Sequence, residues 1–292
     1  VLAMGLAVGF ISGMFGIGGG FLMTPLLIFI GIAPAVAVAS VASHIAASSF
    51  SGAISYWRRK AIDIPLALML LAGGILGTTA GVWLFTVLRS LDQLDLTIGL
   101  SYVTLLSIVG GLMISESVRA IVREQQGRPV QLRRGGAHTW IHGLPLKVRF
   151  KRSKLYVSVI PVWMIGCTIG FIGAVMGIGG GFLLVPMLIY LLRVPTATVL
   201  GTSMVLTLIT MAGATVMHAA TNHLVDAVLA LILMVGGVIG AQFGARAGQN
   251  MRGERLRLLL GVLVFAVGLR FAYALIVQPD DLYSIRLVGG AS

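Results

Sequence analysis

Long stretches of this chain carry no charged side chain. The first charged residue is Arg58, and further uncharged stretches cover residues 64–88, 96–115, 155–192 and 227–245. About 18 or more consecutive apolar residues are enough to cross the hydrocarbon core of a bilayer as a helix. The pattern therefore predicts an all-α polytopic membrane protein.

The chain also contains the same glycine-interrupted apolar segment twice. Residues 9–28 read GFISGMFGIGGGFLMTPLLI and residues 170–189 read GFIGAVMGIGGGFLLVPMLI, with thirteen of twenty positions identical. Beyond these segments, Pro34 matches Pro195, and Asp63 matches Asp226 after a slip of two residues. A duplicated, glycine-broken hydrophobic segment in two halves of a chain is typical of secondary transporters built from repeats.

Each glycine cluster is expected to divide its segment into two legs. The uncharged stretch 155–192 is too long for one crossing of about 20 residues, so it is predicted to enter and leave the membrane on one side. Residues 3–33 are its predicted twin from the opposite face. Each such hairpin is followed by three transmembrane helices, which in the first half are expected near 34–57, 64–88 and 95–115.

The basic residues predict that the two repeats have inverted topology. Most of the 21 Lys and Arg residues fall in four segments, around 58–60, 119–154, 193 and 246–257, which the positive-inside rule places in the cytoplasm. The loop at 58–63 is basic whereas its counterpart at 218–226 has no Lys or Arg, and this opposite charge favours inversion. Both ends of the chain are then expected on the outer, periplasmic side. The predicted divisions are a first membrane repeat at 1–115, a basic cytoplasmic linker at 116–154, a second repeat at 155–277 and a C-terminal tail at 278–292.

Composition limits the other function classes. The net charge of +12 lies in the loops, where it sets topology and meets anionic lipid, so nucleic acid is not a predicted partner. The single cysteine, Cys167, excludes an intramolecular disulfide or a cysteine-built metal site. No nucleophile–base pair or metal-ligand spacing is evident, so we predict neither an enzyme nor a bound cofactor or metal.

The glycine clusters are the predicted substrate site. Broken backbone at membrane depth survives only where protein or a water-filled cavity satisfies it, and helices leaving the break offer free N–H groups and a positive dipole end. That geometry favours an anion, held by backbone amides of Gly18, Gly19, Gly20, Gly179, Gly180 and Gly181. The alternative is close helix packing through small residues. A further open point is whether the returning leg begins at Thr24-Pro25 or nearer Gly20.

Polar side chains on the helices that follow the breaks complete the predicted site: Ser43, His44, Thr202 and Ser203. His44 is the only ionisable side chain among the first 57 residues, which makes it either a functional group or a neutral imidazole bonded to a neighbouring helix. Four further polar residues, His218, Asn222, His223 and Asp226, are expected in a solvated outer loop. Gln242 is expected to line the pathway or to bond between helices.

The paired segments Gly9–Pro25 and Gly170–Pro186, each followed by a proline and a Ser/Thr-rich helix, resemble the TauE/SafE family, also called the 4-toluene sulfonate uptake permease family. The resemblance covers nearly the whole chain outside the basic linker. It implies transport of small sulfur-containing anions such as sulfite or organosulfonates. The role of His44 is not implied by it.

Together these patterns predict a secondary transporter, an exporter of sulfite or an organosulfonate across the bacterial inner membrane by alternating access, with possible coupling to protons. The alternatives are an anion channel of the same fold and a transporter of a non-sulfur anion such as a small carboxylate.

Overall fold

The computed structural model describes residues 1–15, 18–125, 147–150, 153, 155–188, 192, 196–247 and 253–276. Within them the chain is almost entirely helical. The helices of the first half are α1 (Leu2–Phe15), α2 (Gly20–Phe29), α3 (Pro34–Arg58), α4 (Ile64–Ser90) and α5 (Leu94–Gln125). A hairpin of β1 (Lys147–Phe150) and β2 (Leu155–Ser158) then leads to α6 (Val159–Met176), α7 (Gly181–Pro186), α8 (Thr196–Met217), the π-helical turn His218–Asn222, α9 (Ala227–Ala247) and α10 (Gly253–Ile276).

Six helices of the described chain are long and apolar enough to cross a membrane, namely α3, α4, α5, α6, α8 and α9. Many large apolar side chains on their outer faces are exposed, including Trp83, Val216 and Val228. A soluble protein would bury such side chains, whereas lipid tails are a favourable environment for them. The prediction of an all-α membrane protein is confirmed.

Each copy of the duplicated segment forms two helices divided at its glycine cluster, as predicted. Helix α1 has 14 residues and α2 has ten, so at 1.5 Å per residue neither spans a hydrocarbon core of about 30 Å. In the second copy α6 ends at Met176 and α7 begins at Gly181. Three helices follow each pair.

The two halves interlock rather than sit side by side. Helix α1 of the first half packs along α9 of the second, and α6 of the second packs along α4 of the first. These contacts are backbone to backbone through glycines: Gly9 lies against Gly237, and Gly170 against Gly74. A Cβ atom on Gly9 or Gly170 would strike the backbone of the facing helix, so glycine is needed for this close approach.

Corresponding helices of the two halves run in opposite directions where they meet. Helices α5 and α10 pack with Gly110 against Phe265 and Gly268 against Leu106, and α3 and α8 pack with Gly52 against Met204. By contrast, α1 and α9 run in the same direction, since Gly5 lies against Leu233 and Gly13 against Ala241. This is the pattern that inverted repeats produce, because parallel repeats would bring corresponding helices together in the same direction. The orientation of each half in a membrane stays a prediction.

The segment between the halves differs in part from the sequence-based prediction. Helix α5 continues to Gln125, ten residues past the predicted start of the linker, and residues 155–158 form a strand where a membrane leg was expected. The strands pair antiparallel, with Phe150 opposite Leu155, and Phe150 is fully buried. The rest of the linker, the predicted tail, Arg193 and Pro195 lie outside the described residues.

Candidate functional site

The backbone at both breaks adopts conformations that favour glycine. Four glycines have positive φ: Gly18 (84°), Gly19 (71°), Gly177 (65°) and Gly179 (67°). The left-handed region costs other residues energy because their Cβ crowds the neighbouring carbonyl. Helix α2 begins at Gly20 with Gly19 as its N-cap, and Pro25 lies inside the helix. The returning leg therefore begins at the glycines rather than at Thr24-Pro25.

The two breaks meet at the centre of the molecule. A Cβ atom built on Gly20 would lie 2.5 Å from the carbonyl oxygen of Ile178 and 2.6 Å from that of Gly177. Just beyond, the rings of Phe21 and Phe182 stack with their centroids 4.8 Å apart. The duplicated segments thus form one structure from two halves of the chain.

Hydroxyl groups from neighbouring segments fix the second break in place. Thr24 Oγ1 donates to the carbonyl oxygen of Gly177 over 3.1 Å, and Tyr102 Oη donates to that of Met176 over 2.8 Å. Both side chains are fully buried. Their bonds satisfy carbonyls at the end of α6 that have no partner within the helix.

Four buried polar side-chain atoms have no hydrogen-bond partner among the described residues: Ser12 Oγ, His44 Nε2, Ser49 Oγ and Thr207 Oγ1. Each residue is at most 1% exposed. A Cβ atom built on Gly18 would meet Ser49 and Thr207, and one built on Gly19 would meet Ser12. These three side chains therefore lie directly beside the first break. Helix α3 also places Ile45, one turn before Ser49, against Gly18, Gly20 and Gly179. An unpartnered buried polar atom is uncommon in proteins, so a group of them beside glycine backbone calls for an explanation.

His44 joins this group through a contact between the two halves. Its Nδ1 lies 2.7 Å from the carbonyl oxygen of Leu233 on α9, and its ring packs directly against Gly237, where a larger residue would collide with it. The sequence left open a functional group or a neutral imidazole bonded to another helix. The structure shows the bond to the other helix. The second ring nitrogen, Nε2, has no hydrogen-bond partner among the described residues.

The other three predicted side chains make different contacts. Ser43 Oγ donates to the carbonyl oxygen of Ser40 over 2.6 Å, and Ser203 Oγ donates to that of Leu200 over 2.9 Å. Thr202 Oγ1 accepts a hydrogen bond from the backbone N–H of Asp63 over 3.3 Å. None of these bonds involves the breaks. The structure therefore brings Ser12, Ser49 and Thr207 to the breaks instead, of which sequence reasoning selected none as a site residue.

The expected solvated outer loop is partly buried, which corrects the prediction. His218 is fully buried and Asn222 is 5% exposed, whereas His223 and Asp226 are exposed. Asn222 bonds to Thr86 through its side-chain oxygen and accepts from Arg89 through its backbone oxygen over 2.8 Å. His218 packs edge-on against Phe85. These contacts hold the C-terminal end of α8 against α4. The described residues contain no cluster able to hold a metal ion.

Comparison with known proteins agrees with these features. The family model described as "Sulfite exporter TauE/SafE" matches residues 1–271. The chain is 30% identical over 278 residues to a "Probable membrane transporter protein" of Xylella fastidiosa (strain 9a5c), covering 92% of each chain. It is 26% identical over 270 residues to "Probable membrane transporter protein YjnA" of Bacillus subtilis (strain 168), covering 92% of this chain and 98% of that protein.

A shorter match reaches a plant protein. Over 53 residues, 18% of this chain and 12% of the other, it is 49% identical to "Sulfite exporter TauE/SafE family protein 1" of Arabidopsis thaliana. No solved structure matches the chain. Because the family model covers nearly the whole described structure, including both glycine breaks and the helices around them, the chain belongs to the TauE/SafE sulfite exporter family of membrane transporters.

Proposed function

We propose that this protein is a secondary transporter that exports a small sulfur-containing anion, such as sulfite or an organosulfonate, across the bacterial inner membrane. The family supports the sulfur-containing substrate. The structure supports the position of the site, which we place between the two glycine breaks. Alternating access would then consist of the two interlocked halves moving around this point.

The observation that carries the proposal is the group of unpartnered polar atoms around Gly18 and Gly19. Leaving a buried hydroxyl without a partner costs about 1–3 kcal/mol, so retaining Ser12, Ser49 and Thr207 there works against stability. A bound oxyanion would accept hydrogen bonds from these hydroxyls. Their arrangement around one piece of glycine backbone fits a small ligand better than packing alone.

The negative charge proposed for the ligand follows from the hydrogen-bond donors available around it. The first amides of a helix have no partner within it, and the N-terminal end of α2 at Gly20 carries a partial positive charge. We place the anion against backbone amides of Gly18–Gly20 and Gly179–Gly181, with hydroxyls of Ser12, Ser49 and Thr207. Because Nδ1 of His44 donates to the carbonyl oxygen of Leu233, its Nε2 would donate to the anion only when the ring is protonated. Ser43, Thr202 and Ser203 are left out of this set because their bonds lie elsewhere. If export is coupled to protons, His44 is the residue that would carry them, since it is the ionisable side chain of the group.

Two variants test the site directly. Ser49→Ala and Thr207→Val each remove an unpartnered hydroxyl with little change of shape. We expect the midpoint of thermal unfolding in detergent to stay the same or rise, while sulfite flux in proteoliposomes falls at least about tenfold, because the lost hydroxyl bonds only to the anion.

Ser48→Ala is the matched control. Its hydroxyl is equally buried on α3 but donates to the carbonyl oxygen of Ile45, so flux should be retained. Normal flux in both Ser49→Ala and Thr207→Val would contradict this placement of the site. An anion channel or a carboxylate transporter would use the same geometry, and the substrate panel described in the Discussion separates them.

A further inference from the structure

A cavity lies between α3 and α9, away from the breaks, and its described walls are basic. It has a volume of about 480 Å³. Arg58 and Arg59 come from the end of α3, and Arg246 comes from the end of α9. The remaining described lining residues are Ser51, Ile54, Ser55, Ala241, Gln242 and Ala245, so the described wall contains three arginines and no carboxylate.

The inner end of this cavity reaches the neighbourhood of the proposed site. Ala241 lines the cavity and also packs against Gly13, the residue after Ser12. One turn earlier on α9, Gly237 packs against the ring of His44. The cavity therefore leads from the basic ends of α3 and α9 to within about one helical turn of two proposed site residues.

The corresponding region of the other half is different. By the internal repeat, its counterpart is formed by residues 212–222 of α8 and the π-helical turn, and residues 78–83 of α4, none of which is Lys or Arg. The next cationic residue along α4 is Arg89, and its guanidinium donates a hydrogen bond to the backbone oxygen of Asn222. The two related regions thus differ: one lines a cavity with three arginines, and in the other the arginine is bonded to a backbone oxygen.

We infer that the cavity between α3 and α9 is a binding site for an oxyanion group, at which sulfite or a sulfonate is captured before it reaches the glycine breaks. This inference rests on the proposed transport function. Guanidinium groups bind planar and tetrahedral oxyanions through paired N–H donors, and a basic cleft raises the local concentration of anions. The arginines lie on the side that the positive-inside rule assigns to the cytoplasm, so capture there favours export.

The test compares two double variants that lose the same charge. Arg58→Gln/Arg246→Gln removes one arginine from each wall of the cavity. Lys60→Gln/Arg119→Gln removes two exposed basic residues of the same predicted membrane face that do not line it. In inside-out membrane vesicles, we expect the first variant to raise the KM for sulfite and for sulfoacetate about fivefold with unchanged maximal flux, and the control to leave KM unchanged. The difference should shrink in high salt, because salt screens exposed charges.

A single variant provides an independent check should the double variant fold poorly. Gln242→Glu keeps the side-chain size and adds a carboxylate to the cavity, so it should also raise KM. An anionic lipid headgroup has the same chemistry as the substrate. Measurement in proteoliposomes of phosphatidylcholine, with and without phosphatidylglycerol, distinguishes the two, and the KM shift should persist without anionic lipid.

Three results would overturn the inference: an unchanged KM in both cavity variants, an equal rise in the control, or a shift that requires phosphatidylglycerol. Each of these leaves the proposed function standing, because the wild-type protein still transports. Absence of any anion flux by the wild type would instead refute the proposed function. The inference that the cavity captures the transported anion would then fail as well.

Discussion

His44 and Gly237 occupy adjoining space at the contact between the two halves of the protein. The imidazole ring fits there because α9 has no Cβ at position 237. Its Nδ1 meets the carbonyl oxygen of Leu233, one turn earlier on the same helix. One histidine therefore joins the halves while its second ring nitrogen, Nε2, has no partner among the described residues.

Gly237→Ala should destabilise the protein by about 1–3 kcal/mol, because the new methyl group collides with the His44 ring in a packed interior. Adding His44→Ala should recover part of the lost midpoint of thermal unfolding, since the collision is removed while the bond to Leu233 and the packing of the ring are lost. Gly111→Ala, where a methyl group meets nothing within 4 Å, is the control and should not lower the midpoint.

The double variant also separates the two roles of His44. We expect Gly237→Ala/His44→Ala to fold but to transport sulfite poorly, because it lacks the unpartnered ring nitrogen. Full transport by the folded double variant would show that His44 is a packing residue.

At the scale of single residues, the sequence predicted where the backbone is interrupted better than it predicted which side chains lie beside the interruption. Gly18–Gly20 and Gly179–Gly181 stand out because three consecutive glycines in an apolar segment have few structural uses. Ser12, Ser49 and Thr207 do not stand out, because serine and threonine in membrane helices commonly bond their own backbone, as Ser43 and Thr210 do. Only the approach of α1, α3 and α8 to the breaks distinguishes them.

At the scale of elements, two related aspartates begin two related helices in different surroundings. Asp63 caps α4, is buried, and accepts hydrogen bonds from the N–H and hydroxyl of Ser153 in the turn of the β-hairpin. Asp226 caps α9 through the N–H groups of Val228 and Leu229 and is exposed. The backbone N–H of each aspartate also bonds across the halves, to Thr202 and Ser40 respectively.

Asp63→Ala should therefore lower the free energy of unfolding more than Asp226→Ala does. We expect about 2–4 kcal/mol for Asp63, whose loss leaves the Ser153 donors buried without a partner, and about 1 kcal/mol for Asp226, whose loss removes an exposed cap. Both variants keep the backbone bond across the halves, so the midpoints of thermal unfolding compare the side chains alone. Equal losses would contradict the role given to the hairpin.

The sequence could not predict this connection. Helices α3 and α4 were predicted within a few residues because their boundaries coincide with charges and prolines, whereas α5 continues past its predicted end. The contact between positions 63 and 153 depends on the folded arrangement, and ten basic residues between 119 and 154 indicated a loop without further structure.

At the scale of the whole molecule, the interlocked halves suggest that corresponding positions face opposite sides of the membrane. Lys60 and His223 each lie three residues before the related aspartates, and both have left-handed backbone, with φ of 56° and 51°. Both are exposed. They are therefore matched probes of inversion.

In a Cys167→Ser background, His223→Cys should react with a membrane-impermeant maleimide added to intact cells, and Lys60→Cys should react only in inside-out vesicles. This outcome follows from the opposite charge of the two loops and the opposite directions of corresponding helices. Labelling of both cysteines from the same side would contradict inverted repeats.

The central claim is that the glycine breaks form the site of a transporter for a small sulfur-containing anion. The most direct test is counterflow in proteoliposomes loaded with sulfite, thiosulfate, sulfoacetate, taurine, sulfate or oxalate, measured with and without a pH gradient. We predict saturable counterflow of sulfite or a sulfonate that is lost in Ser49→Ala and kept in Ser48→Ala. Flux that does not saturate would indicate a channel. Movement of oxalate alone would show that the substrate is not a sulfur-containing anion. No counterflow of any of these anions would contradict the proposal that the glycine breaks form a transport site.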